Sequence, residues 1–418
     1  MLRVQEERII WHLPTVFFLL AIIRTALVMS VGVYKIVFMI GFIGIASAAM
    51  LVSDKKYCRE SLKWNVFYGI VLFAVTYLYC MMLTVEKSIF YAKEFNNNVL
   101  ILMLYWFTYS YIRSVNTKTR NFILYFYLVL IVISLVYTLF FVSSYDGDFI
   151  RENTTGINEQ GRFRVGGFDF IYATVLIYIA IISSIRNVKG KKIKKIFFIF
   201  LEILIFVVVA KSAYSTAFVL IVGFTLFEIL PNRNKWIYII IALIILRYML
   251  NIIADIIYDW RFLPDLTRVR LSSILRSLTG SETTGVSYYT GKGQRFDRMI
   301  WSLRIFAEHP FIGGFLGKTK NSFGWHTEWV DTLARYGVFV TSLLVAFWKN
   351  TYMNIKNSII SRNRSLEPYK RTFIAFVILG FLNPISVVVT CAPLFILAPF
   401  INDLLSGNKE EKESNESK

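Results

Sequence analysis

The chain has 418 residues, of which 56% are hydrophobic, 17% aromatic and 17% charged, with a formal net charge of +19 from 46 Lys and Arg against 27 Asp and Glu. Soluble domains carry about a quarter charged residues, and a mean hydropathy of +0.55 means more apolar surface than a core of this size can hide, which excludes a soluble enzyme. The positive charge sits in short loops between apolar runs, so it reports membrane orientation and excludes nucleic acid as the reason for it.

Residues 10–29 and 32–52 open the series of apolar stretches. No small-residue cleavage site follows the first of them and further spans do, so it reads as a span and not as a cleavable signal peptide. Trp64–Val85, Phe95–Ile112 and Asn121–Tyr145 are the clearest membrane helices, being uncharged or nearly so over a bilayer's thickness. Weaker spans follow at 167–185, 195–211, 212–230, 236–253 and 331–348. After Arg371 an uncharged run from Thr372 to Asn402 is interrupted by Asn383-Pro384 and Cys391-Ala392-Pro393, which predicts two short helices, or one helix and a re-entrant piece. The expected fold is all-α, a polytopic bundle of about twelve spans.

The basic connections 55–59, 113–120, 186–195, 233–235 and 349–371 fall on one face if the N-terminus is cytoplasmic. The Lys/Glu-rich tail, 405–418, returns to that face and is expected to be disordered. The opposite face carries two long connections, 144–167 and 254–330. The chain therefore divides into a bundle over 1–253, a large external loop over 254–330, and C-terminal spans over 331–404. A long loop among minimal ones is where function concentrates. The larger loop also breaks the charge bias, because it holds Arg261, Arg268, Arg270, Arg276, Arg295, Arg298 and Arg304. Cys58, Cys80 and Cys391 have neither disulfide nor zinc spacing.

Within that loop the chain reads Gly293-Gln294-Arg295-Phe296-Asp297-Arg298-Met299-Ile300-Trp301, then Glu308-His309-Pro310-Phe311-Ile312-Gly313-Gly314, then Trp325-His326-Thr327-Glu328-Trp329-Val330-Asp331 and Gly337. Arg, Trp, His-Pro, a glycine cluster, then His at the mouth of a span resembles the O-antigen polymerase and ligase family, the Wzy-type polymerases of capsule and O-antigen synthesis. Arg162-Phe163-Arg164-Val165-Gly166-Gly167-Phe168, leading from the first external loop into a span, is similar to an Arg-Gly-Phe stretch of that family. Where the family commonly has His-Asn, this chain has His326-Thr327; where a Ser-Arg pair often opens a later span, it has Lys211-Ser212-Ala213.

The resemblance implies polymerisation of lipid-linked oligosaccharide repeats on the outer face of a bacterial cytoplasmic membrane, with a flippase and a chain-length co-polymerase as partners. Such a transferase must grip a diphosphate, stabilise it as it leaves, and deprotonate a hydroxyl. Guanidinium forks suit phosphate oxygens, which makes Arg162, Arg164, Arg295 and Arg298 the expected clamp, with Lys211 in reserve. Neither external loop has an Asp-x-Asp motif, so no metal or other cofactor is expected. His326 is the expected base because imidazole titrates near the working pH; Glu328 is the second choice, and Asp331 is expected to be a base or to orient the ring. A single loop arginine more often snorkels or pairs with Asp255, Asp259, Asp265 or Glu282, and His309 beside Pro310 reads as part of a turn. Arg24 and Arg247 read as snorkelling, Glu202 as facing the bundle interior. A ligase of the same family shares the donor chemistry. A flippase would need charges along a central path and often has internal repeats, neither of which is evident here.

Overall fold

The computed structural model describes Leu19, Ile101, Leu104, Tyr105, residues 107–113, Val115, and residues 117–144, 168–185, 192–212, 214–230, 252–278, 292–314 and 327–406. The described chain is all-helical, and no strand occurs among these residues. A π-helical segment, Phe107–Ile112, precedes α1 (Thr117–Ser144), α2 (Phe168–Ile185), α3 (Lys192–Lys211) and α4 (Ser215–Ile229). Then come α5 (Asp265–Leu278), α6 (Lys292–Glu308), α7 (Glu328–Ser361), α8 (Glu367–Leu382), α9 (Val388–Ala392), a π-helical turn (Pro393–Leu397) and α10 (Ile401–Ser406).

Three helices, α1, α2 and α7, are long and apolar enough to cross a membrane, and α4 is a shorter apolar helix. The expected spans at 10–29, 32–52, 64–85 and 236–253 lie wholly or almost wholly outside the described residues, so a total of twelve is an expectation and not an observation. The expected boundary at residue 348 falls short. α7 continues to Ser361 and α8 starts at Glu367, so only Arg362–Leu366 separates them. Among the described residues, the expected loop 254–330 contains α5 and α6, preceded by a helical stretch over 252–259.

α2 is the central element. Its apolar residues run all round the helix, which suits burial on every side and not a single amphipathic face. α8, α4, α3 and the segment α9 to α10 all pack on it, and Ile171 to Ile181 is buried without a break. α1 instead leaves Phe122, Val129, Ile133, Val136 and Phe140 exposed at helical spacing, as a lipid-facing stripe requires. An aromatic layer joins α7, α8 and the return segment: Trp348 stacks on Phe395 at 5.9 Å and packs on Phe376 at 4.7 Å.

Side-chain bonds orient the helices. At one end, Asp403 of α10 meets Arg120 of α1 and Arg362 and Arg364 of the α7–α8 connection. There too Lys194 of α3 reaches the Leu404 carbonyl, and Glu228 of α4 accepts from Ser183 of α2 and pairs with Arg371 of α8. This is the basic end. At the other, loop end, Thr390 donates to the Asp169 carbonyl, Lys211 lies over Phe262, and Glu328 meets residues 385 and 386. α8 therefore runs from the basic end to the loop end, the chain turns at Asn383–Val387, and the segment 388–406 returns, buried from Val389 to Leu405. Thr372–Asn402 is thus a forward helix and a broken return.

Candidate functional site

α7 begins in a turn whose residues are anchored in different directions. Asp331 is 3% exposed; its Oδ1 accepts from Ser302 Oγ of α6 at 2.6 Å and its Oδ2 from the Thr327 backbone N–H at 3.0 Å. The second bond satisfies an N-terminal donor of α7, much as an N-cap does. Glu328 Oε2 accepts from the backbone N–H groups of Ile385 and Ser386 at 3.1 and 3.2 Å, tying α7 to the turn after α8. Trp329 packs against Gly380, where a Cβ would come within 2.2 Å of the indole, and its Nε1 donates to the Val377 carbonyl at 2.8 Å.

Two turns further on, α7 breaks at Gly337, whose φ of 67° and ψ of −173° suit glycine almost alone. A break inside a membrane helix frees backbone groups that need partners. The turn His309–Gly314 supplies them: Gly314 N–H donates to the Ala334 carbonyl and Val338 N–H to the Pro310 carbonyl, both at 2.8 Å. Gly313 N–H closes the turn on the His309 carbonyl at 2.9 Å. The fit requires glycine on both sides. A Cβ on Gly337 would lie 2.4 Å from the Phe311 carbonyl, and one on Gly313 2.2 Å from the Arg335 carbonyl.

The structure thus joins Asp331 to Ser302 of α6, Glu328 to the backbone of residues 385 and 386, and the turn His309–Gly314 to the break at Gly337, beside the buried Arg335. His326 lies outside the described residues, but it precedes Thr327, the first residue of a turn whose Asp331, Trp329 and Glu328 bond to α6, to α8 and to residues 385–386. The Thr327 hydroxyl is buried and has no hydrogen-bond partner among the described residues. His309 heads the turn, its N–H bonded to the Ile305 carbonyl at 3.0 Å. Arg162 and Arg164 also lie outside the described residues. Arg295 sits in the first turns of α6, and Arg298 is exposed one turn later. Lys211 ends α3 with its ammonium 4.6 Å from the centre of the Phe262 ring. Arg268, one of the loop arginines, pairs with Asp265 and donates to the Tyr258 carbonyl at 2.8 Å, a local structural task.

Four residues were not singled out from sequence. Ser302 and Arg335 look like ordinary helix residues, and the Ile385–Ser386 backbone carries no side-chain signal at all. The signal for Arg335 was present: a cation one helical turn after Asp331 inside an apolar span. No group of three His, Cys, Asp or Glu among the described residues could hold a metal ion.

No family model matches the chain, and no curated protein matches it.

Proposed function

We propose that the chain is a repeat-unit polymerase of about twelve spans, working on polyprenyl-diphosphate-linked oligosaccharides at the outer face of a bacterial cytoplasmic membrane. The order of residues from Arg295 to Gly337 supports this reading, and one structural observation carries it furthest. The turn Thr327–Asp331 is held by α6, by α8 and by residues 385–386, and the candidate base His326 immediately precedes it. A reacting group must be placed within a fraction of an ångström, which such a support provides.

In the proposed reaction, His326 takes the proton from the acceptor sugar hydroxyl as its oxygen bonds to the anomeric carbon of the donor glycan. The bond from that carbon to the diphosphate breaks, and polyprenyl diphosphate leaves with the electron pair. Arg295 and Arg298, together with Arg162 and Arg164, neutralise the leaving charge, with Lys211 as a further cation. Glu328 has a different task from a base: its carboxylate receives two backbone N–H groups and a bond from the Ser386 side chain, so it serves as an anchor. Asp331 likewise fixes the turn through Ser302 and Thr327.

Purified protein in proteoliposomes with a lipid-linked oligosaccharide should build a glycan ladder and release polyprenyl diphosphate, with EDTA present throughout. Transfer to a different acceptor without ladder growth would make the chain a ligase. Movement of intact lipid-linked oligosaccharide across the vesicle without any new glycosidic bond would make it a flippase.

A further inference from the structure

Two enclosed polar groups stand where the start of α7 meets the end of α8. Thr327 is the N-cap of α7, a position where a threonine hydroxyl ordinarily accepts a backbone N–H of the first turn. It makes no such bond here: the residue is 7% exposed, and its Oγ1 has no hydrogen-bond partner among the described residues. Asn383 is the C-cap of α8, and its backbone N–H donates to the Leu379 carbonyl at 2.7 Å. Its side-chain Nδ2 also lacks a partner among the described residues, although the residue is only 2% exposed. Both belong to one corner. Thr327 adjoins Glu328, whose carboxylate receives the N–H groups of Ile385 and Ser386 just past Asn383, and Trp329 packs against Gly380 just before it.

The corner lies among helices and not at their rim. The break at Gly337 folds the start of α7 back along the part that follows, so that Trp329 and Trp348 both pack on Phe376, at 5.8 and 4.7 Å. Thr341 Oγ1 donates to the Thr332 carbonyl at 3.4 Å across the same fold. An enclosed hydroxyl or amide without a partner costs about 1–3 kcal/mol, so the corner suits a ligand that supplies the missing bonds. The carboxylates decide its charge. Glu328 and Asp331 are close enough to act on each other electrostatically, and both are already engaged, Asp331 through both oxygens. Two acids repel a phosphate. A neutral hydroxyl fits, because it accepts from an amide N–H and exchanges a bond with a threonine hydroxyl.

We infer that the Thr327 hydroxyl and the Asn383 amide bind a hydroxyl of the acceptor sugar. The inference rests on the polymerase reading, in which His326, the residue before Thr327, takes a proton from that sugar. It divides the substrate: neutral groups at the α7–α8 corner grip the glycan, and cations elsewhere grip the diphosphate. Such a pair selects strongly, because a sugar lacking the matching hydroxyl leaves buried groups unsatisfied.

The test measures binding without reaction. The oligosaccharide repeat, released from its diphosphate carrier by mild acid, is titrated calorimetrically into purified full-length protein in detergent. Thr327→Val, which keeps the shape and removes the hydroxyl, and Asn383→Leu should each weaken its affinity about ten-fold, and Thr327→Ser should stay within about two-fold of the unaltered protein. Without glycan, Thr327→Val should melt no lower than the unaltered protein, since its hydroxyl has no bond to lose. If Asn383→Leu does not fold, the threonine variants decide alone. Absence of binding by the unaltered protein, or equal affinity in Thr327→Val, would overturn the inference. A Thr327→Val protein that melts lower and binds glycan normally would assign the hydroxyl to an ordered water instead. Equal affinities beside a normal glycan ladder would remove this site and leave the polymerase reading. Thr327-dependent binding by a protein that builds no ladder would remove that reading and leave the glycan site.

Discussion

At the basic end the buried acids Asp403 and Glu228 meet guanidinium groups, whereas at the loop end Asp331 and Glu328 receive a serine hydroxyl and backbone N–H groups. The two solutions do different work. An ion-paired acid clasps separate helices but leaves cations stranded if it is lost. A carboxylate held by a hydroxyl and amides positions a turn to within a hydrogen bond's tolerance. The basic end is thereby built as a clasp, and the loop end as a support for residues that enter from the segment 254–330.

The clasp should be the more fragile to a single change. Asp403→Ala leaves Arg120, Arg362 and Arg364 without their acid, and should destabilise the protein by about 3–5 kcal/mol, read as loss of folded protein in detergent extracts. Near-normal melting of that variant would remove the distinction between the ends. Next comes Gly337→Ala, which places a side chain in a glycine-only conformation and against the Phe311 carbonyl. Roughly 1–3 kcal/mol of strain is expected, with faster proteolysis at the 309–314 turn. Asp331→Ala removes the acceptor of the buried Ser302 hydroxyl's bond and of the Thr327 N–H, for about 1–3 kcal/mol, and should lower activity more than it lowers the yield of folded protein. The smallest effect is expected of Glu328→Gln. Its amide oxygen still accepts from residues 385 and 386, so polymer synthesis per folded molecule should stay within a few-fold of normal. A drop of about 10² or more would instead identify Glu328 as the base.

The helical class and the spans among the described residues were legible because span length is a local property. Asn121–Tyr145 and 167–185 match α1 and α2 within a few residues, and Asn383-Pro384 does mark a turn. The end of α7 was misplaced for a physical reason: its last turns, Lys349 to Ser361, carry lysines and asparagines, and polarity was read as loop where the helix merely leaves the apolar layer. The site was less legible, because its bonds are long-range. Ser302 and Asp331 are 29 residues apart, and Glu328 and Ser386 are 58 apart, distances over which no periodicity speaks. The glycines of His309–Gly314 and Gly337 were visible as a motif. That they interlock, one filling the break in the other's helix, required the fold.

The most direct measurement concerns His326. In proteoliposomes with a lipid-linked oligosaccharide, His326→Ala should lose about 10²–10⁴-fold in polymerisation rate while its melting temperature and substrate retention stay normal, and His309→Ala should keep measurable activity. Full-length ladders at the normal rate from His326→Ala would contradict the account, because the turn Thr327–Asp331 would then be supporting something other than the base.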